Sequence, residues 1–361
     1  MRIRNTLAIT AVIVSCVVTW GCARKLEPTS SAGSATPPSS DFELKVAILK
    51  NIPATSAIAL KSERTIKKGE GGNFVYPSSF VVKKERDVLI ADNNGHTIQQ
   101  WLSTETKTTE LIRDSLQFPS TIKETNGRIY VSDNDGIKIF KENGQYETLL
   151  RTYYALFNFV VAEDQSIYAN PEFRSPKDSD PLIVKLNAKG ERVSGFGRRL
   201  NNLKFNGLDD RALLVRSGQF LFAGFKHRPV IEVFDLSGEK LIREIAVTHP
   251  AFEALEKLSH DERFTNPSPR KTALPRFIAG ISVAGDSLFV LLHLPHVEIV
   301  EFDFQGTERK RYRSLEVQSA IDYFGLEARK ENGSNRFYVG VSGISETDEV
   351  PFLIQFSVDN N

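Results

Sequence analysis

Six histidines are the residues of this chain most able to ligate a metal: His96, His227, His249, His260, His293 and His296. Imidazoles brought together from separate parts of a chain can hold zinc and activate a bound water. His96, His227 and His293 are the set whose positions suit that arrangement. Two features oppose it: His227 stands between Lys226 and Arg228, whose charge repels a cation, and no carboxylate recurs at a fixed spacing to orient an imidazole. Asp92 and Asp133 each end an apolar run at matching places, and a ring of such carboxylates would suit calcium. The third matching place holds Asn170 and the series stops there, so these aspartates read better as caps that accept backbone N–H bonds of their own turns. Cysteine chemistry is confined to the start. Cys16 and Cys22 are the only cysteines and Met1 the only methionine, so the rest of the chain has no thiolate, disulfide or thioether ligand. Nor does it show a glycine-rich phosphate loop, a Ser-His-Asp spacing or a Cys-His pair.

Charge is nearly balanced, 46 basic residues against 45 acidic, which gives a nucleic-acid partner no global electrostatic footprint. Local cations are more informative. Arg174, Lys177, Arg198, Arg199, Lys226, Arg228, Arg270, Lys271 and Arg276 fall in loops, and Tyr153, Tyr154 and Phe157 lie in a connection nearby. Such a set could face an acidic ligand or a protein partner. Glu172, Asp178, Asp180, Asp209, Asp210, Asp261 and Glu262 occupy the same loops, so a mixed-charge solvated rim is the competing reading.

The elements that must position these residues form one recurring unit. A short apolar strand is followed by a tight polar turn, a stronger strand rich in Ile, Val, Tyr and Phe, a loop, an alternating strand, a turn and a last strand. The first copy reads 79–82, 88–92, 97–102 and 109–112, the second 120–122, 128–133, 137–140 and 146–150. Later second strands are expected at 166–169, 220–223, 288–292 and 336–341. Third strands start near 98, 137, 183, 230, 297 and 352, the spacing of four-stranded propeller blades. Asn143-Gly144, Lys189-Gly190, Ser237-Gly238 and Gln305-Gly306 recur as turns because glycine accepts the positive φ a hairpin needs. The last copy ends after its third strand, and residues 57–60 and 64–66 can supply the missing one, which also covers an open edge.

The stretch Gly71-Gly72-Asn73-Phe74-Val75-Tyr76-Pro77-Ser78-Ser79-Phe80 resembles the Gly-rich, Phe-x-x-Pro start of an NHL-type repeat. Asp92-Asn93-Asn94-Gly95-His96-Thr97-Ile98-Gln99 resembles that family's Asp-x-x-Asn-x-x-Ile turn. The resemblance covers about residues 69–140 and extends to the bacterial six-bladed propeller lipoproteins, which share a fold without a common activity. The expectation is an all-β, six-bladed β-propeller, NHL/TolB-like, of four-stranded antiparallel blades, with the outer strand of the last blade supplied from the N-terminal side. A degenerate blade hidden in the long step between the fourth and fifth copies would make the count seven.

Within that frame the long loops share one face: 170–181, 224–229, 343–350 and the largest, an insertion at 248–276. All six histidines fall on this face. The insertion contains a helix-like stretch, 250–263, with Phe252, Leu255 and Leu258 at helical spacing, and ends in the breaker-rich Asn266-Pro267-Ser268-Pro269-Arg270-Lys271. Loops of this length in a compact fold are often functional.

The N-terminus carries an address. Arg2 and Arg4 precede an apolar run, Leu7 to Val18, too short to span a bilayer, and Gly21 precedes Cys22. The Gly-Cys ending resembles a bacterial lipobox, which implies cleavage before Cys22 and its acylation. Ile13-Val14-Ser15-Cys16 is a rival with better local match but a cut inside the apolar run. Residues 23–41 read as a Ser/Thr/Pro/Ala/Gly-rich tether, with a reach of roughly 20–25 Å. The expected organisation is a signal peptide at 1–22, the tether, and a propeller at 42–361. In a Gram-negative source, Ala23 after the acylated cysteine implies the outer membrane, facing the periplasm.

These observations favour a monomeric, non-enzymatic binding module without cofactor or nucleic acid. It would engage another envelope protein or an extracytoplasmic ligand through the long-loop face, at His96, Tyr153, Tyr154, Arg174, Arg198, Lys226, His227, Arg228, Arg270 and His293. The alternative is a lyase or lactonase-type hydrolase with zinc or calcium held over the central channel by His96, His227 and His293.

Overall fold

The structure, a computed structural model, describes residues 43–48, 57–67, 74–84, 86–105, 107–172, 179–199, 210–253, 255, 275–314, 322–342 and 351–358. The expected signal segment with Cys16 and Cys22, the tether, Arg174, Arg270 and most of the 248–276 insertion lie outside these residues.

Two strands near the start, β1 (Glu43–Ile48) and β2 (Ile58–Lys67), join sheets built much later in the chain. The first sheet is β3 (Pro77–Val82), β4 (Val88–Asp92), β5 (Thr97–Trp101) and β6 (Thr108–Ile112). The second is β7 (Thr121–Thr125), β8 (Arg128–Asp133), β9 (Gly136–Lys141) and β10 (Tyr146–Arg151), and the third β11 (Ala155–Val161), β12 (Ile167–Glu172), β13 (Pro181–Leu186) and β14 (Arg192–Arg198). The fourth contains β15 (Ala212–Ser217), β16 (Phe220–Phe225), β17 (Val230–Asp235) and β18 (Lys240–Thr248). There follow β19 (Ile278–Ala284), β20 (Ser287–Leu292), β21 (Val297–Asp303), β22 (Glu308–Ser314), β23 (Asp322–Glu331), β24 (Ser334–Ser342) and β25 (Pro351–Val358).

The fold is an all-β propeller, but the expected six separate four-stranded blades are corrected by the hydrogen bonding. The described strands fall into five sheets, of four, four, four, five and eight strands. The fourth gains a strand because β1 pairs in parallel with β18, from Glu43↔Arg243 to Ile48↔Thr248. The eight-stranded sheet arises because β2 bonds on both sides. Its first residues pair in parallel with β22 (Ile58↔Tyr312, Ala59↔Arg313), and the rest runs antiparallel to β25, from Leu60↔Val358 to Lys67↔Pro351. One strand thereby joins β19–β22 to β23–β25 and ties the two ends of the propeller together.

Burial follows from the layering. The second strand of each copy touches neighbouring sheets on both faces, so β4 and β20 are buried at every position. Outer strands are more open: β10 exposes most of its positions, and β6 buries only Ile112. Aromatic rings wedge the sheets apart: Phe196 meets Phe234 at 5.4 Å, Phe252 meets Phe277 at 5.1 Å, and Phe337 meets Phe289 at 5.4 Å and Tyr312 at 4.9 Å. Each such ring, fully buried, contributes about 1.5–3 kcal/mol. Phe252 belongs to the helical turn at 250–253, so the start of the insertion is anchored in the core. At the hairpin turns, Gly144, Gly190 and Gly306 take φ of 83°, 82° and 81°, whereas at Ser237-Gly238 the left-handed residue is Glu239, with φ 49°.

The inner strands β3, β7, β11, β15, β19 and β23 stand side by side around the axis, with β23 returning against β3. Polar side chains stitch them together. Ser79 Oγ accepts from Ile122 N at 3.4 Å, Asn158 Oδ1 from Leu214 N at 3.0 Å, and Ser282 Oγ from Ala328 N at 2.9 Å. The ring closes where Glu327 Oε2 accepts from Val82 N at 2.8 Å and Arg329 donates to the carbonyls of Val82 and Lys83. Each stitch satisfies a backbone N–H or C=O that faces the channel instead of a sheet ladder.

Candidate functional site

Where the inner strands begin, the channel opens on the long-loop face into a cavity of about 530 Å³. Its chemistry comes from two kinds of position, the residue just before or at the start of an inner strand and the residue just after a second strand. Arg211, Arg276 and Asp322 are of the first kind; Lys226 is of the second, and Glu172 ends β12. Phe157, on β11, lies among them: the Arg211 guanidinium is 5.3 Å and Lys226 Nζ 5.2 Å from its ring centre. Cation–π contacts of this kind hold charge close to an apolar surface without neutralising it.

The cations differ in their partners. Arg211 bridges to Glu172 at 2.7 Å, a partly exposed pair of small net strength. Arg276 pairs with Asp322, which also takes His293 Nε2 at 3.2 Å and its neighbour's Tyr323 N–H at 2.9 Å. Burial works to raise the Asp322 pKa, yet hydrogen bonds from His293 and Arg276 win and hold the carboxyl well below the ordinary range. Lys226 Nζ has no hydrogen-bond or salt-bridge acceptor among the described residues. It keeps partial exposure to the cavity while protein surrounds it on the channel wall. Burial, with Arg276 and Arg211 adding repulsion against a weaker pull from Asp322, pushes its pKa down to about 8.

The sequence-selected residues divide. Lys226 and, through Asp322, His293 belong to this mouth. His227 stands behind it, its Nδ1–H donating to the Pro275 carbonyl at 2.8 Å. Burial and the neighbouring cations push its pKa down to about 4, so it is neutral at pH 7. Arg228 is turned into the fold: it stacks on Phe225 at 3.5 Å and approaches Glu232 at 3.7 Å and Asp210 at 4.0 Å. Burial pushes Glu232 up to about 7 against the opposing pull of Arg228. Tyr153 is 95% exposed, Tyr154 is half-buried, and neither lines the cavity. Arg198 is exposed at the end of β14. His96 sits in the β4–β5 turn with φ 56°, edge-on to Phe118 at 5.1 Å, in a separate hollow with Arg113 and Asp114.

His96, His227 and His293 thus each have different surroundings. Among the described residues no group of three His, Cys, Asp or Glu side chains is placed to hold a metal. Asp92 and Asp133 accept backbone N–H groups as expected, but only one each from their own turns, the other two coming from the segment that enters the inner strand. Asp92 accepts from Val75 N and Tyr76 N at 2.7 Å each and Gly95 N at 3.2 Å. Asp133 accepts from Gln117, Phe118 and Asn134 N at 2.9, 2.6 and 2.9 Å. Arg211 and Asp322 carry no motif that marks them in the sequence. Their signal was positional: each directly precedes or opens an inner strand.

No protein-family model and no curated protein matches the chain by sequence. Solved structures match by fold. A Bacteroides fragilis protein described as exported has a TM-score of 0.58 at 11% identity, over 88% of this chain and 100% of that one. The WD40 β-propeller domain of Doa1 has 0.52 at 12%, over 83% and 98%. A PQQ-bound aldose sugar dehydrogenase from Streptomyces coelicolor has 0.52 at 12%, over 84% and 99%. At such identities the likeness establishes the propeller fold and leaves the chemistry to the site itself. No helix among the described residues is long and apolar enough to cross a membrane.

Proposed function

We propose that this chain is an exported, lipid-tethered propeller of the NHL type, a binding module whose long-loop mouth takes carboxylate groups of an acidic envelope partner. One observation carries the reading: Arg211 and Lys226 meet over Phe157, Arg276 lines the same mouth and repels Lys226, and Lys226 is left without an acceptor among the described residues. Like charges held together by the fold repel one another, and an arriving carboxylate relieves that repulsion while gaining charge-assisted hydrogen bonds. The Gly21-Cys22 ending of an apolar N-terminal run supports export and acylation. The exported description of the Bacteroides fragilis structure supports the same address. The Asp92–Gln99 turn supports the NHL-type grouping.

The test is fluorescence anisotropy of a labelled hexaglutamate peptide with the full-length chain at low salt, hexalysine serving as control. Binding of the acidic peptide alone, weakened at least tenfold by Lys226→Met and by Arg211→Ala, supports the reading. Equal binding by the wild type and Lys226→Met removes it.

A further inference from the structure

The opposite mouth of the channel, at the tight turns leaving the inner strands, holds a larger cavity of about 950 Å³. Cations outnumber carboxylates on its walls, and the carboxylates are mostly engaged. Glu327 is taken by Val82 N and by Arg329, whose Nε lies 3.0 Å from Oε1. Glu331 is taken by Arg86 at 2.8 Å and Arg336 at 3.1 Å. Glu124 is the remaining acid.

The cations left over come from different strands. Lys123 lies on β7 inside the channel, Lys84 follows β3, and Lys330 is on β23; none has a hydrogen-bond or salt-bridge partner among the described residues. Among the described residues, Arg216, on β15, reaches only Glu163, at 3.9 Å, and its Nε is buried without a hydrogen-bond partner. Burial depresses the Lys123 pKa, opposed by the pull of Glu327, and the same burial raises that of Glu327. A channel wall that keeps one lysine deep and places further cations at the rim is costly unless negative charge arrives from outside.

We propose that this mouth is a second binding site, for a small organic polyanion carrying two or more phosphate or carboxylate groups. The separation of its cations over several strands asks for more than one anionic group. Lysines, being point charges on flexible stems, impose no planar bidentate geometry, so phosphates and carboxylates meet the same recognition. The site is independent of the long-loop mouth, which shares none of these residues.

Calorimetric titration of the full-length chain with pyrophosphate and with citrate, at low salt, tests it. Binding of either is expected, with affinity at least tenfold lower in Lys123→Met and in the exposed pair Lys84→Ala/Lys330→Ala, and changed less than about twofold in Lys189→Ala, an exposed lysine that lines neither mouth. The exposed pair guards against a folding defect in Lys123→Met, and a melting temperature measured alongside separates the two. Pyrophosphate alone would identify a phosphorylated ligand, citrate alone a polycarboxylate. Absence of binding by both, or binding indifferent to Lys123→Met and to the exposed pair, overturns the proposal. Loss in Lys226→Met alone would also overturn it, by assigning the anions to the other mouth.

Discussion

Exchanging Asp133 for asparagine, and Asn170 for aspartate, should destabilise the propeller at both positions, although each replacement alters little but hydrogen-bonding character. At Asp133 every neighbour is a donor. Oδ1 accepts Phe118 N and Asn134 N, and Oδ2 accepts Gln117 N and Lys138 Nζ, the last at 2.7 Å. An asparagine there turns an NH₂ toward two donors whichever way the amide is flipped. At Asn170 the neighbours are mixed: Nδ2 donates to the Leu182 carbonyl at 2.9 Å, and Oδ1 accepts from Ala212 N at 3.1 Å. An aspartate there sets a buried negative oxygen against a carbonyl.

Each orphaned buried donor costs roughly 1–3 kcal/mol. Lys138 keeps the Ser115 carbonyl at 2.7 Å and Asp135 at 3.3 Å, which limits the loss on its side. Asp133→Asn should therefore cost about 2–4 kcal/mol. For a body of about 320 residues, with roughly 0.7 kcal/mol per degree of unfolding entropy, that lowers Tm by about 3–6 °C. The pH dependence separates the two variants. Burial works to raise the Asp133 pKa, but Lys138 and three backbone N–H groups outweigh it and hold the folded value below the ordinary one. Its stabilisation is complete above the unfolded pKa of about 3.9 and lost as pH falls through the depressed folded value, so the Asp133→Asn deficit stays constant from about pH 8 to 5. In Asn170→Asp the buried carboxyl has a raised pKa, and on protonation it can donate to Leu182, so that deficit shrinks toward about pH 5. Circular-dichroism melts across that range read both. A wild-type Tm in Asp133→Asn at pH 7, or deficits moving in parallel with pH, would refute the reasoning.

Affinity for hexaglutamate should fall as pH rises through about 8, where Lys226 loses its proton, by up to about tenfold per unit; anisotropy in buffers from pH 6.5 to 9.5 measures it, and a flat profile contradicts a role for Lys226. Glu327→Ala should remove the acceptor of Val82 N and the partner of Arg329 where β23 meets β3, costing about 2–3 kcal/mol and lowering the urea midpoint without altering the slope. Gly136→Ala should cost about 3 kcal/mol or more, because φ is 138° and a Cβ would lie 2.2 Å from the Leu150 carbonyl oxygen; the same urea titration checks it. Cys22→Ala should abolish palmitate incorporation in a bacterial host, and Cys16→Ala should leave it intact.

The strands of the propeller were legible because their signal is local. Val88–Ala91 and Ile129–Val131 are unbroken apolar runs bounded by polar and turn residues, and every position in them is buried. The grouping of strands into sheets was legible for the first three copies and for the pairing of β2 with β25; the extra pairings that merge later copies were not. No residue pattern dictates that β2 bonds Tyr312 at its start and Val358 two residues later, since that depends on where one strand bends between two neighbours. The parallel docking of β1 on β18 escaped for a related reason: its partner lies about 200 residues away and no turn links them. Among the cations, a loop position proved a poor guide to availability. Arg199 donates to the carbonyls of Pro181 and Pro171, and Arg228 is stacked on Phe225, so both serve the fold.

What the sequence does contain is a rule for the mouth that becomes visible only with the register. Three sheets repeat one backbone bond, from the residue after the second strand to the carbonyl before the inner strand. Asn93 N donates to Tyr76 O, Lys226 N to Arg211 O, and His293 N to Phe277 O, the members of each pair being 17, 15 and 16 residues apart. The bond is the same, so the side chains carried at its two ends decide what each sheet presents to the channel. The first sheet presents a tyrosine and an amide. The fourth presents two cations whose charges meet over Phe157, and the next presents a histidine that reaches Asp322 at the start of β23. Because antiparallel pairing forces the two ends of a hairpin together, Arg211 and Lys226 could not have been kept apart by any rearrangement of the loop beyond them. Their proximity is fixed by the ladder of β15 and β16, and the repulsion it enforces is the property an acidic partner would answer.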